Sequence, residues 1–385
     1  MTHAKSRGKG GPLRIALSYI RHAPVGGIEA FLGNFSRFLA GRGHHVTVLC
    51  REHRRPDEPG VRVVRLKSLA FGSAGRIAAF ARDVERHVAA HPYDAVLGLG
   101  KTWAQDVLRL GGGMHETFLE MTGGDGRRRT DRVSLEIERK ALARDACRRV
   151  IANSAMVKRD VAHRTGYPEE RIAVVHNGVD AARFDRAAHA AAAATLRGSL
   201  GWSAEEIVVL FVGNGFQRKG LDLLLAAFAA AHKGDARLRL LVVGDDAQMA
   251  YHQKMAAELG IAGAVRFAGE RGDMPACYAA ADLFALPTRY DPFANATLEA
   301  LAAGLPVVTS DRNGGAEVLT PGCGETVPVA AGAPGLAQAL AAWAAPGRIE
   351  GARRAARDAA LRHPIDGQLA QAEDILAAVA REKSR

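Results

Sequence analysis

Short β-branched runs alternate with helical apolar patterns along most of this chain, and the alternation occurs in two separate series. Such a pattern demands βαβ units, hence parallel sheets with helices packed on their faces. The first series has strands expected at 14–19, 45–50, 61–66, 93–99, 149–153 and 172–176. A helix expected at 28–41 puts Ile28, Phe31, Leu32, Phe35, Phe38 and Leu39 on one face at a 3.6-residue period. The second series has strands expected at 207–212, 238–243, 265–268, 282–286, 306–309 and near 325–327, with helices at 222–232 and 294–303. Between the series, 185–206 turns alanine-rich and polar with no strand signal. An inter-domain linker is expected there, although a helix at its centre fits the composition equally. The expected fold is therefore α/β, with doubly wound domains over 13–184 and 207–366. Residues 1–12 read as a disordered basic arm, and the amphipathic 367–385 as a helix packing back on the first domain.

A length of 385 residues suits two domains, at about 100–200 residues each. With 48% hydrophobic and 24% charged residues, wholesale disorder is excluded. Cys50, Cys147, Cys277 and Cys323 are widely spaced with no C-x-x-C pair, which fits neither a zinc site nor a disulfide framework and suits a reducing compartment. The first twelve residues lack the apolar stretch of a signal peptide. The uncharged stretch 326–347 is broken by Pro328, Pro334 and Pro346, so no span is expected and a cytoplasmic protein is, with peripheral membrane contact open. Against 41 Asp+Glu there are 52 Lys+Arg, a net +11. That excess fits nucleic acid, an anionic membrane, a phosphorylated substrate, or arginines spread over solvated helices. With only 3 Trp, 6 Tyr and 13 Phe, and no basic–aromatic interleaving, the stacking platforms that bind single strands are absent. No nucleic-acid partner is expected.

Two segments carry chemistry. Gly213-Asn214-Gly215-Phe216-Gln217-Arg218-Lys219-Gly220 follows a strand and opens a helix, where backbone N–H groups and two adjacent cations suit a diphosphate. Taken alone, a tight turn with solvated cations explains it too, and position 218 breaks the G-x-G-x-x-G fingerprint. In Tyr290-Asp291-Pro292-Phe293-Ala294-Asn295-Ala296-Thr297-Leu298-Glu299 a loop enters a helix. N–H groups around Phe293, Ala294 and Asn295 are expected to face the ligand. A carboxylate accepts two sugar hydroxyls, so Glu299 suits a ribose and Asp291 a sugar ring, while an N-cap and a surface Glu remain the plain alternative.

The Asp291…Glu299 spacing resembles the E-x7-E motif of retaining glycosyltransferase family 4. It occurs together with Arg218-Lys219-Gly220, the Gly26-Gly27 loop and Asn177-Gly178-Val179-Asp180. The similarity runs from about residue 13 to 380, nearest to the lipopolysaccharide core glucosyltransferase I branch. It implies a GT-B fold of two Rossmann-like domains facing a central cleft, with acceptor on the first, nucleotide sugar on the second, and neither metal nor resident cofactor. Gly111-Gly112-Gly113-Met114-His115 is similar to the family's G-x-H segment, so His115 is expected to hydrogen-bond the donor sugar. Gly26 and Gly27 are expected near the diphosphate, beside Gly213 and Asn214. The resemblance thus assigns catalysis to His115, Arg218, Lys219 and Asp291, with the leaving diphosphate taking the acceptor's proton. The chain departs from the family in having Asp291 for the usual Glu and Asn214 for the usual Arg.

Other segments are weaker. Gly98-Leu99-Gly100-Lys101-Thr102 imitates a Walker loop tail, but the required earlier glycine is Ala95. Asp245 and Asp246 are adjacent rather than alternate, and suit a loop and a helix cap. Residues 123–150 combine Arg127–Arg129 and Arg132 with an amphipathic helix, which suits an anionic leaflet or a phosphorylated glycolipid; a solvated loop and an ordinary helix fit as well. The expected activity is transfer of a hexose, glucose foremost, from a UDP-linked donor to a glycolipid such as the lipopolysaccharide core. Transfer to another surface polysaccharide or glycolipid, and nucleotide-sugar epimerisation on the same fold, are the alternatives.

Overall fold

Strands buried on both faces and joined through helices pair in parallel, and every ladder among the described residues does so. The computed structural model describes residues 11–24, 26–143 and 145–385; the basic arm expected at 1–12 lies almost wholly outside the described residues. Two compact units are present, one running to His176 and including Asp366–Arg385, the other Asn177–Ile365.

The first unit contains β1 (Arg14–Ser18), β2 (Arg21–His22), β3 (His45–Cys50), β4 (Glu52–His53), β5 (Val61–Arg65), β6 (Ala95–Gly98), β7 (Val107–Leu110), β8 (Arg149–Ala152) and β9 (Ile172–Val174). Seven of them form one sheet in the order β5-β3-β1-β6-β7-β8-β9, and β2 pairs with β4 apart from it. Ile15 lies opposite both Val46 and Ala95, and the central strands are solvent-free. On the helix Gly27–Gly41, Phe31, Leu32, Phe35 and Leu39 are buried, as their spacing requires. The strand β7 adds to the expected set. Arg109 interrupts its apolar run, but that guanidinium is buried over the Phe31 ring at 3.9 Å, a cation–π contact.

The second unit contains β10 (Ile207–Val212), β11 (Leu238–Val243), β12 (Val265–Phe267), β13 (Leu283–Leu286), β14 (Val307–Ser310) and β15 (Gly324–Val327). Their order is β12-β11-β10-β13-β14-β15. In both sheets the chain reverses direction of travel beside the first strand, where open α/β sheets bind ligands beyond the strand carboxyl ends.

The linker expected at 185–206 is corrected. Residues Ala190–Ser199 form a helix, and Ala193, Leu196 and Trp202 join the core of the second unit, as does Phe184. Alanine favours helix, and Leu196 and Trp202 give it an apolar face. The change of unit falls at His176 rather than at 184. The helix Ile365–Lys383 belongs from Asp366 to the first unit. There Leu369, Ala372, Leu376 and Val379 are buried, and Glu373 accepts from Arg42 Nε and pairs with His44 Nε2, both at 2.8 Å.

Candidate active site

The loop after β10 is shaped around a lysine stem. Gly213 has φ +145°, and a Cβ there would stand 2.3 Å from Lys219 Cδ. One helical turn, Phe216–Lys219, follows and ends at Gly220. A Cβ on Gly220 would stand 2.1 Å from the Pro287 carbonyl oxygen. These two contacts bring Arg218 and Lys219 against the loop that leaves β13. Arg218 Nη1 donates to the Tyr290 carbonyl at 2.8 Å and to Asp291 Oδ2 at 3.1 Å. Lys219 Nζ donates to the same Oδ2 at 3.3 Å. The other oxygen, Oδ1, accepts the Phe293 N–H at 3.2 Å.

Asp291 is therefore buried with both oxygens engaged. Burial alone would raise its pKa, but the Lys219 and Arg218 charges, with their hydrogen bonds, hold it below the ordinary carboxyl value. One carboxylate faces two cations, which leaves the cluster a net positive charge. Both oxygens of Asp291, the residue expected to contact the sugar, are engaged by groups of its own chain.

Two sets of N–H groups expected to face a ligand are also engaged. The Phe216 N–H donates to Asp246 Oδ2 at 3.0 Å, so a carboxylate already occupies the start of that turn. Those bonds, with others from Gln248 and Gly215, hold Asp246 below its ordinary pKa against the opposing effect of burial. Asn214, exposed, accepts the Asp245 N–H through Oδ1 at 3.0 Å. The Ala294 N–H goes to Asn313 Oδ1 at 3.2 Å. Asn313, absent from the sequence expectations, is buried and also binds Gly315 N, Thr297 Oγ1 and Thr309 Oγ1. Asn295 stays exposed and accepts from Asn177 Nδ2 at 2.7 Å.

Glu299 stands one turn into the helix Asn295–Ala302. Tyr278 Oη donates to its Oε2 at 2.7 Å, and the Tyr278 ring is packed edge-on to Phe184. Burial raises the Glu299 pKa, while the Tyr278 bond and the charges of Arg183 and Lys219 oppose the rise. Neither Tyr278 nor Arg183 was legible as a site residue, since nothing local marks them.

In the first unit, Gly26 has φ +118°, and a Cβ there would stand 2.2 Å from Glu29 Oε2. Glu29 is buried and pairs with Arg21 at 2.7 Å. The start of this helix, including exposed Gly26 and Gly27, thus carries its own carboxylate, whose charge is balanced by Arg21. Nearby Tyr19 is pushed up to about 12 by burial and by Glu29.

A cavity of about 280 Å³ opens at the carboxyl ends of β1, β6 and β7, lined by Tyr19, Ile28, Lys101, His115, Phe118 and Glu138 among others. His115 starts the helix His115–Thr122, and its N–H donates to Glu138 Oε2 at 2.6 Å. Its Nε2 lies 3.2 Å from Asp131 Oδ1. Burial and the Lys101 charge lower the His115 pKa, against the pull of Asp131. A neutral ring facing a carboxylate must carry its proton on Nε2, which leaves Nδ1 as an acceptor. Lys101 holds a left-handed backbone, φ +61°, a strained conformation of the kind that clusters at functional sites. Its Nζ donates to Ser134 Oγ at 2.9 Å. Burial lowers the Lys101 pKa, with Glu138 and Asp131 opposing. The lysine of the dismissed Walker-like string is thus a cavity residue.

The amphipathic helix expected within 123–150 is Arg129–Ala141. Ser134, Ile137 and Ala141 are buried on it, and Lys140 lies over the Trp103 ring at 4.6 Å. Part of its apolar side packs into the unit itself, while Val133 and Leu135 stay partly exposed.

Comparison with known proteins agrees with this architecture. Residues 25–183 match Glycosyltransferase Family 4, and residues 206–345 match Glycosyl transferases group 1. An uncharacterized glycosyltransferase of Methanocaldococcus jannaschii is 25% identical over 326 residues, covering 80% of this chain and 83% of that protein. The lipopolysaccharide glucosyltransferase WaaG of Escherichia coli is 25% identical over 299 residues, covering 77% and 80%. The crystal structure of WaaG has a TM-score of 0.80 at 24% identity, covering 94% of this chain and 99% of that one. Anabaena HepE, solved in complex with UDP and glucose, has a TM-score of 0.70 at 22% identity, covering 95% and 99%. With both sheets, both family matches and the WaaG likeness in register over nearly the whole chain, this protein belongs to the GT-B glycosyltransferases of family 4, near the WaaG branch.

Proposed function

We propose that the protein moves a hexose, glucose foremost, from a UDP-linked donor to a membrane glycolipid of the lipopolysaccharide-core kind, with retention of configuration. The observation that carries this is the pair Arg218 and Lys219 held on one buried carboxylate, Asp291, with Glu299 on the adjoining helix. Two fixed cations sharing one counter-charge suit a diphosphate whose charge grows as the glycosidic bond breaks. The likeness to WaaG and to a UDP-binding relative supports the choice of donor.

In this scheme the bond between the anomeric carbon and the β-phosphate oxygen breaks. The acceptor oxygen bonds to that carbon on the same face, and the leaving phosphate takes the acceptor's proton. Arg218 and Lys219 stabilise the leaving group, so no metal ion and no resident cofactor is required. Glu299 holds the ribose through the oxygen that Tyr278 does not occupy, and Asp291 positions the cations. On the first unit, the neutral His115 offers Nδ1 to a hydroxyl. The acceptor enters from a cytoplasmic membrane surface.

A donor series of UDP-glucose, UDP-galactose, UDP-GlcNAc and GDP-mannose tests the scheme, first by thermal shift and then by turnover with chelator present. Stabilisation by UDP sugars with EDTA-insensitive turnover is expected. No stabilisation by any nucleotide sugar would end the proposal, and an inverted product anomer would end its stereochemical part.

A further inference from the structure

The segment leaving β5 at the edge of the first sheet carries a side-chain stripe that the function above does not use. From Arg65 to Phe71 the exposure alternates: Arg65, Lys67, Leu69 and Phe71 are exposed, while Leu66, Ser68 and Ala70 are partly buried. An extended chain points alternate side chains to opposite sides, so two cations and then two large apolar groups share one outward face. Leu69 is 87% exposed and Phe71 82%. Scattered single apolar side chains on a surface need no explanation. Two at full exposure, neighbours on one face of one loop, do.

The stripe is held in place. Ser68 donates through its N–H and hydroxyl to Asp83, at 3.2 Å and 2.5 Å. Arg86 Nη2 donates to the Ser68 hydroxyl at 2.9 Å, and Arg51 Nη2 to its carbonyl at 3.0 Å. Phe71 then starts the helix Gly72–Ala90 from an extended backbone. Four hydrogen bonds on one residue fix the base of the loop, so that Leu69 and Phe71 are presented rather than left loose. The local charge is of one sign. Exposed Arg76 lies in the first turns of the helix, while Glu58 before the stripe pairs with Arg37 and Arg55 and Asp83 after it is buried and bound to Ser68 and Arg86. Among the described residues, no carboxylate forms an ion pair with Arg65, Lys67 or Arg76.

We propose that this loop is a membrane wedge: Leu69 and Phe71 enter the interfacial region of an anionic bilayer, with Arg65, Lys67 and Arg76 among its phosphate headgroups. Cations paired with phosphate and apolar side chains buried below them match a bilayer interface in chemistry and order. A protein partner of the same charge complement would need its own apolar pocket for both side chains, whereas a leaflet supplies one continuously. The loop leaves the carboxyl end of β5, the same end of the sheet at which the cavity of His115 and Lys101 opens. A wedge there brings the acceptor cavity to the surface from which a glycolipid headgroup projects. The inference rests on the glycolipid acceptor of the proposed function.

Sedimentation of the full chain with two vesicle populations tests it, one of phosphatidylcholine and one with about a third phosphatidylglycerol. The wild type is expected to bind the second, and to be released by high salt. The double variant Leu69→Ser/Phe71→Ser is expected to bind roughly tenfold more weakly. Arg65→Glu/Lys67→Glu is expected to lose roughly fivefold per charge. All four side chains are exposed, so circular dichroism and the UDP-glucose thermal shift should be unchanged. Absence of wild-type binding, or equal binding by the Leu69/Phe71 variant, overturns the wedge. So does a dimer, seen by light scattering, that this variant dissolves, because the stripe would then meet a second copy. Vesicle binding needs no donor, so a failed donor series with intact vesicle binding removes the donor assignment and leaves the wedge.

Discussion

The two units hold their cations in opposite ways. In the second, Arg218 and Lys219 share the single carboxylate of Asp291, so the cluster remains positive. In the first, the cavity has no cation in excess: Lys101 is faced by two carboxylates, Glu138 and Asp131, and His115 is kept neutral by burial and by Lys101. Arg109, beneath them, is buried on the Phe31 ring, with its pKa brought down to about 10 by that burial. An unbalanced pair of cations is prepared for a dianion, because the incoming charge completes the neutralisation. A balanced cavity has no such deficit, and its remaining capacity is for neutral hydroxyls. Under the proposed function, the difference suits the second unit to the diphosphate and the first to sugar or acceptor hydroxyls.

The largest effect that tests this contrast is at Lys219. Lys219→Ala should lower turnover by roughly 10²–10³-fold, the loss typical of one fixed transition-state partner. Asp291 keeps Arg218 and the Phe293 N–H as partners, so circular dichroism should report a folded protein. Near-normal turnover would mean that the second unit's charge deficit is not what catalyses departure of the diphosphate.

Removing the counter-charge should act on stability first. Asp291→Ala leaves Arg218 and Lys219 facing each other without it, at a cost of about 3 kcal/mol in denaturant unfolding. Because the folded pKa of Asp291 is depressed, its contribution is present above the ordinary carboxyl value. It is lost as pH falls through that value towards the folded one. Wild type and Asp291→Ala should therefore converge in stability in acid and diverge towards neutrality. A constant difference across that range would mean the carboxylate acts by packing. Asp291→Glu, which restores the family's usual residue, should keep the fold and change the donor KM rather than stability.

How much of this was legible in the sequence follows from distance along the chain. The alternation of strands and helices is local, and so is the Gly213–Gly220 string, where Gly213 lies six residues from the Lys219 stem it accommodates. Both could be read directly. The Ala190–Ser199 helix could not, because alanine-rich polar sequence suits a linker and a helix alike, and only the contacts of Leu196 and Trp202 decide. The engagement of backbone N–H groups was also hidden. Asp246 reaches Phe216 across 30 residues, and Asn313 reaches Ala294 across 19. Sequence showed where donors would be exposed by helix starts, but not which side chains return to accept from them. The cavity was the least legible, since Lys101, His115, Asp131, Ser134 and Glu138 come from three segments. Only His115 carried a motif.

A smaller effect is expected where Tyr278 supports Glu299. Tyr278→Phe removes a bond that opposes the burial-driven rise in the Glu299 pKa, so that pKa should rise further. The acid limb of the donor kcat/KM profile should then move to higher pH, with a loss of several-fold at neutrality. An unmoved limb would assign Tyr278 to packing against Phe184 alone.

The smallest effect probes the neutrality of the first unit's cavity. Lys101→Met removes the charge that helps to lower the His115 pKa and leaves Asp131 and Glu138 unopposed, and both changes raise it. In the wild type, His115 should lose its acceptor Nδ1 only below the ordinary imidazole value of about 6.5. In Lys101→Met the acid limb of kcat/KM should move up towards that value or beyond it, with turnover on the alkaline side changed by less than threefold or so. His115→Gln should abolish the limb in both backgrounds. If Lys101→Met instead lowered turnover equally at every pH, Lys101 would be contacting the substrate itself. The cavity would then be a charged site like the Arg218–Lys219 cluster, and the division of labour between the two units would lose its electrostatic basis.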